Sequence, residues 1–213
     1  MCSSDLEPLL APEYFSAKEK ALVDLVRKEA QEGRPCLVYV YHTGKYALNT
    51  RLEYVLQHHG IRTLDVANVR PDKLERTINN AADTSADAII VNPVRAGTGL
   101  NLIATPTVIF YQTVWSVLTM MQGAARSHRP TQTTPVRVYY LVTKGTVEEV
   151  ILGRVIERMA AIFLASGGDN EGMAAVFDAV GHQETLTELL VSYVSRNVQY
   201  DLASVFEIGR AHV

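Results

Sequence analysis

Two short stretches of the chain hold the residue types that chemistry on a polyphosphate would need. Gln122-Gly-Ala-Ala-Arg-Ser-His-Arg129 sets two guanidinium groups three residues apart. Arg126 and Arg129, at the end of an expected helix, share a face, where their like charges repel unless an anion sits between them. Arginine suits that task because its planar fork is always charged and binds phosphate oxygens bidentately. Taken alone, the stretch reads as a solvated basic face. The second stretch is Asn92-Pro-Val-Arg-Ala-Gly-Thr-Gly-Leu-Asn-Leu102, in which Gly97 and Gly99 would let main-chain N–H groups approach an anion and Thr98 adds a hydroxyl. A Gly-x-Gly by itself is a weak sign and often a plain turn. The full GxGxxG fingerprint is missing, which argues against a dinucleotide site. Combined, the two stretches favour a polyphosphate.

The elements that would position them follow from hydrophobic periodicity. Ser16-Ala-Lys-Glu19 has the capping-box pattern, and apolar residues recur at helical spacing to Gly33. Cys36 to Tyr41 is a continuous apolar run that suits a strand buried on both faces, with Cys36 a small core residue. The pattern then predicts a helix over 45–59, a strand over 61–66, a helix over 71–82 and strands over 86–91 and 107–111. A helix over 116–127, a strand over 136–142 and a long helix from Thr146-Val-Glu-Glu149 to about Ala165 complete it. Strands alternating with helices predict an α/β fold, a parallel sheet with helices on both faces. In such sheets ligands gather at the carboxyl ends of the strands, where both stretches are expected to lie. Beyond Ser166-Gly-Gly-Asp-Asn-Glu-Gly172 the sequence predicts two further helices, read as a small helical extension over 166–206.

Here the sequence resembles a known family. Gln122-x-x-x-Arg126-x-x-Arg129 resembles helicase motif VI. His128-Arg-Pro-Thr-Gln132 and Val136-Arg-Val-Tyr-Tyr-Leu-Val-Thr-Lys-Gly-Thr-Val-Glu-Glu149 look like the RAHRIGQ stretch, the VxVYRL strand and the TKGTVEE helix start of Swi/Snf-type superfamily 2 ATPases. Arg95-Ala-Gly-Thr-Gly-Leu-Asn-Leu102 resembles motif V, and Leu37-Val-Tyr-Val-Tyr-His-Thr43 sits where motif IV belongs. The resemblance runs from about Ala17 to Ala165. Departures include a motif V loop one residue short, Ala125 in place of the motif VI glycine, Arg129-Pro-Thr-Gln132 for RIGQ and Gln112-Thr-Val-Trp115 where the family often has aspartate and proline. They suggest a divergent bacterial or phage branch.

The resemblance implies a RecA-like second lobe over 7–165. A first lobe with GxxxxGK[ST] and DExx motifs, absent here, would be its partner and would hold ATP and Mg2+. This lobe would close over the nucleotide, with Arg126, Arg129 and Gln122 as the catalytic set and Gly97, Thr98, Gly99 and Asn101 contacting the cofactor. His42, Thr43, Arg95 and Thr98 would meet the backbone of DNA, expected as duplex. The alternatives are a non-catalytic scaffold or interaction module and, more weakly, a stand-alone nucleotide-sugar or methyl-transfer domain. Asn92-Pro-Val94 resembles the Asn-Pro-Pro-Tyr loop of amino-methyltransferases but lacks its aromatic residue, so a strand-end turn is expected.

Composition sets outer bounds. The chain has 213 residues, 47% hydrophobic and 20% charged, enough for one substantial core and a small appended unit. A formal charge of -3 excludes a uniformly basic nucleic-acid binder but leaves room for a local patch. Cys2 and Cys36 provide neither a disulfide framework nor zinc-ligand spacing, and no metal site is expected. No apolar run reaches the roughly 18 residues that cross a bilayer, and the amino terminus lacks a secretory pattern, so no membrane role is expected and a cytoplasmic location is the default. Both ends look foreign. Glu207-Ile-Gly-Arg-Ala-His-Val213 can be encoded by GAGATCGGAAGAGCACACGTC, and Met1-Cys-Ser-Ser-Asp-Leu6 by the reverse complement of part of that string, which resembles a short-read sequencing adapter. Segments 1–6 and 207–213 are therefore expected to be adapter-derived, with the authentic protein continuing beyond both.

Overall fold

The computed structural model describes residues 14–41, 48–95, 99–113, 116–129, 132–165 and 211–212. Strands β1 (Cys36–Tyr39), β2 (Thr63–Asp65), β3 (Ala88–Val91), β4 (Thr107–Phe110) and β5 (Arg137–Tyr140) form a parallel sheet in the order β2-β3-β1-β4-β5. A two-residue strand, β6 (Ala211–His212), pairs antiparallel with Arg137 and Val138 at the β5 edge. The helices are α1 (Ala17–Gln31), α2 (Leu48–His58), α3 (Pro71–Thr84), α4 (Val117–Ala125) and α5 (Val147–Ala165). This is a RecA-like α/β arrangement. The extension expected over 166–206 lies outside the described residues, as do 1–6.

Period-two alternation along the strands divides the core into two layers. Leu37, Tyr39, Ile89, Val91, Val108 and Phe110 pack against residues of α3, α4 and α5 such as Ile78, Met120 and Val155. Cys36, Val38, Ala88, Ile90 and Ile109 pack against Leu22 and Val26 of α1 and Leu52, Val55 and Leu56 of α2. Every residue of β1, β3 and β4 is buried, which explains sequences that are apolar except for Thr107 at the start of β4. The capping box at Ser16 is formed from both sides: the Ser16 hydroxyl accepts from the Glu19 N–H and Glu19 Oε2 accepts from the Ser16 N–H at 2.7 Å. Gly60, at φ 76°, ends the turn after α2 as expected. At the start of α5 two carboxylates hold the preceding turn. Glu149 accepts from the Gly145 N–H at 2.8 Å and Glu148 from the Thr143 N–H at 3.1 Å, while the Thr146 hydroxyl donates to Thr143 O.

Candidate functional site

The polyphosphate-type residues meet along the face covered by α4, and three forces place them there. First, α4 starts where the Ser116 hydroxyl accepts from the Thr119 N–H, and it runs back along the sheet, antiparallel to the strands. Second, Gly123 lets α4 lie directly on the aromatic layer: the Tyr39 hydroxyl donates to Gly123 O at 3.1 Å. A Cβ at Gly123 would stand 3.2 Å from both Phe110 Cζ and Tyr39 Cε2. Third, the segment crossing from β3 to β4 packs against the end of α4. There Leu102 N–H donates to Arg126 O at 3.0 Å, and the Thr105 and Ser127 hydroxyls lie 3.3 Å apart.

Two expectations are corrected by this geometry. α4 ends at Ala125 with Arg126 as its cap, so Arg126 and Arg129 do not share a helix face. Pro130, four residues on, has no N–H to offer Arg126 O, which accepts from the Leu102 N–H instead. The backbone that carries the arginines also runs away from the carboxyl ends of the strands, and the Arg126 guanidinium reaches back to Tyr39 at the end of β1. Ser127 reaches Thr105, two residues before β4 begins, because a crossover helix carries the chain from the carboxyl edge back to the amino edge.

Gly99, Gln122, Ala125, Arg126 and Arg129 line one open cleft of about 200 Å³. Gly99 has φ +100°, a left-handed conformation that an L side chain would strain. Gln122 is exposed at the rim. Arg126 is only 6% exposed and its guanidinium reaches the Tyr39 hydroxyl. Burial raises that hydroxyl's pKa above the ordinary value, against the opposing pull of the Arg126 charge. Arg129 is half-buried; it donates through Nη2 to Leu100 O at 3.0 Å, and its buried Nε has no hydrogen-bond acceptor among the described residues.

Asn101 is not among the residues lining the cleft. Its backbone sits behind the Gly99 wall, held by two α3 side chains: Glu75 Oε2 accepts from the Asn101 N–H at 3.0 Å and Asn79 Nδ2 donates to Asn101 O at 2.8 Å. Neither Glu75 nor Asn79 stands out in the sequence, where both read as solvated helix positions. Arg95 is exposed and donates to Val69 O at 3.1 Å, which places it at the carboxyl edge beside the loop after β2. Gly97, Thr98, His42 and Thr43 lie outside the described residues. Asn92 makes the expected strand-end turn, accepting from the Val94 N–H at 2.9 Å and donating to Tyr41 O at 2.9 Å. The tyrosines serve packing: Tyr140 stacks on Phe110 at 5.1 Å and Tyr139 donates to Glu29 at 2.8 Å.

Comparison with known proteins identifies the family of this architecture. The family model for the helicase conserved C-terminal domain matches residues 17–131, more than half of the chain. The chain belongs to that family, in its Swi/Snf-type branch. Among curated proteins it is 31% identical over 156 residues to the chromatin-remodeling ATPase INO80 of Mus musculus, covering 73% of this chain and 10% of the relative. It is 29% identical over 180 residues to the helicase SWR1 of Eremothecium gossypii, covering 81% of this chain and 12% of that protein. Among solved structures, the C-terminal part of the Fun30 ATPase domain matches with TM-score 0.57 and 24% identity over 64% of this chain and 44% of that one, a likeness of fold. The chain thus spans about a tenth of the length of the curated relatives it matches. These relatives are eukaryotic, so the expected bacterial or phage origin is not supported. No helix among the described residues is long and apolar enough to cross a membrane.

Within this helicase C-terminal domain, Gly123 carries its own prediction. Replacing it with Ala gains about 1 kcal/mol of helix propensity. Overpacking costs about 1–3 kcal/mol, and the Tyr39 and Phe110 rings are fully enclosed and cannot retreat. Urea unfolding is expected to show a net loss of about 1 kcal/mol for Gly123→Ala and a larger one for Gly123→Val, where two further methyl groups must fit.

Proposed function

We propose that this domain is the second lobe of an ATP-dependent DNA translocase, closing over ATP held mainly by a first lobe and supplying Arg126 and Arg129 to its γ-phosphate. The observation that supports this best is the convergence of Gly99, Gln122, Arg126 and Arg129 on one cleft, from segments more than 20 residues apart. A triphosphate fits these groups. The buried Arg129 Nε is a donor awaiting an acceptor, and phosphate oxygens are strong acceptors of arginine hydrogen bonds. Among the described residues the cleft lining supplies cationic and neutral groups and no carboxylate, and Mg2+ accompanying the nucleotide would be held from the other lobe. Charge developing on the transferred phosphoryl group would be stabilised by the guanidinium groups once the lobes close. Arg95, with His42, Thr43 and Thr98, would contact the DNA backbone, expected as duplex. Opening after hydrolysis would release the lobe for the next step. Relatives named for chromatin remodelling give no specific support to a cytoplasmic location.

The same reading predicts that the 213-residue chain alone does not hydrolyse ATP and binds it weakly. It offers the γ-phosphate clamp without the loop that cradles the β- and γ-phosphates. Its affinity for DNA should be low and sensitive to salt, with a shallow slope because few phosphates are neutralised. A steady-state ATPase assay with and without DNA checks the first point and a salt titration of binding the second. DNA-stimulated turnover by the isolated chain would sink the two-lobe reading.

A further inference from the structure

Glu75 and Asn79 of α3 face the crossing segment that forms one wall of the cleft. Three hydrogen bonds from these two side chains hold that segment's backbone: Glu75 Oε2 to the Asn101 N–H at 3.0 Å, Asn79 Nδ2 to Asn101 O at 2.8 Å, and Asn79 Oδ1 to the Ala104 N–H at 3.3 Å. The clamped backbone in turn holds both arginines, since Arg129 donates to Leu100 O at 3.0 Å and Leu102 N–H donates to Arg126 O at 3.0 Å. No regular helix or strand supports residues 99–106, so side chains must supply the hydrogen bonds that secondary structure would otherwise provide. At its other end α3 begins at Pro71, beside Val69, whose carbonyl receives Arg95 at 3.1 Å.

We infer that Glu75 and Asn79 are positioning residues: they clamp residues 99–104 and thereby hold the Arg126–Arg129 pair in register for the γ-phosphate. The inference rests on the proposed function of that pair. α3 is then a rigid strut linking the Arg95 edge, where DNA is proposed to lie, to the wall of the nucleotide cleft. An arginine displaced by about 1 Å loses much of its effect on a reacting phosphoryl group while still binding the nucleotide, because catalysis is more sensitive to geometry than binding is.

The experiment is a set of substitutions in the full-length protein, with kcat and KM for ATP measured in saturating duplex DNA and the unfolding midpoint recorded for each variant. Glu75→Ala and Asn79→Ala should each lower kcat about tenfold with KM changed less than about twofold, the pattern of an interaction expressed in the transition state. Glu75→Gln keeps an oxygen that accepts from the Asn101 N–H and should recover most of the loss. Asn79→Asp, which cannot donate to Asn101 O, should not recover it. Glu75→Ala combined with Arg129→Ala should be no slower than Arg129→Ala, since residues acting through one another are non-additive. If Arg129→Ala is slow but Glu75→Ala and Asn79→Ala match the parent, the clamp is wrong and the proposed function stands. If the double variant multiplies the two losses, or Glu75→Gln is as slow as Glu75→Ala, Glu75 does not act through Arg129. If Arg129→Ala itself matches the parent, the proposed function fails and the clamp with it. Should Glu75→Ala fail to fold, the Asn79→Asp and Glu75→Gln pair decides the question, because both keep side-chain volume.

Discussion

Arg129→Ala in the full-length protein is expected to slow ATP hydrolysis at least about a hundredfold, a cautious threshold for groups that are worth roughly 10³ to 10⁵ in turnover where they act as arginine fingers. ATP binding should change only a few-fold, because transition-state charge is what the guanidinium stabilises. The structure separates the two arginines. Arg129 is half-buried and its guanidinium donates to Leu100 O among the described residues, so its loss should leave the unfolding midpoint close to the parent's. Arg126 is 6% exposed beside the Tyr39 hydroxyl, and Arg126→Ala should therefore cost stability as well as turnover. Arg→Lys at either position should rescue little, since one ammonium cannot reproduce the bidentate fork. Lys20 is exposed on α1, which packs on the opposite face of the sheet, so Lys20→Ala is the suitable control. Arg126→Ala and Arg129→Ala variants that fold and hydrolyse ATP like the parent would remove the motif VI assignment and leave the scaffold reading in its place.

What the sequence made legible was periodicity and local chemistry. The largely apolar runs at 36–41, 86–91 and 107–111 read as buried strands because three central strands are enclosed on both faces, although each proves shorter, at four residues. Ser16 and Glu19 read as a cap because both partners lie within three residues. Direction was harder to see. That α4 carries the backbone of Arg126 and Arg129 back toward the amino edge follows from the crossover; Pro130 leaves Arg126 O without a helical partner, and Leu102, 24 positions upstream, takes that place. Contacts between distant segments left no sign at all. Glu75 and Asn79 have the sequence signature of solvated helix residues, and their partners at Asn101 and Ala104 lie 22 to 26 residues away. Arg137, which looks like a neutral strand residue outside the motifs and a natural control, instead bonds Glu29 at 3.0 Å across 108 residues.

Glu29 is where the largest loss of stability is expected. Its side chain is fully enclosed and accepts from Thr107 Oγ1 at 2.7 Å, Tyr139 Oη at 2.8 Å, Arg34 Nε at 3.0 Å and Arg137 Nη1 at 3.0 Å, tying α1 to β4 and β5. Arg34 has only 9% of its side chain exposed and would be left without its carboxylate partner in Glu29→Ala. Removing one member of a buried ion pair costs about 3–5 kcal/mol, because the remaining charge stays desolvated. Glu29→Gln keeps the volume and one acceptor oxygen and should lose roughly half of that. Arg137→Ala removes a partner that is itself 29% exposed, so about 1–2 kcal/mol is expected, which disqualifies it as a silent control. Burial alone would push the Glu29 carboxyl up, but the bonds from Thr107, Tyr139, Arg137 and Arg34 outweigh it and hold the group below the ordinary carboxylate value. A group lowered on folding stabilises fully above its unfolded pKa, near about 4.3 for glutamate, and loses that contribution as pH falls through the lower folded value. The parent should therefore lose stability steeply below about pH 4. Asp87 has the same direction, lowered mainly by its hydrogen bond to Arg62, so the acid limb of Glu29→Gln should be shallower without vanishing. Urea unfolding of the parent and variants between pH 3 and 7 measures both effects, and a Glu29→Ala variant within about 1 kcal/mol of the parent at pH 7 would show that the network does not hold the two layers together.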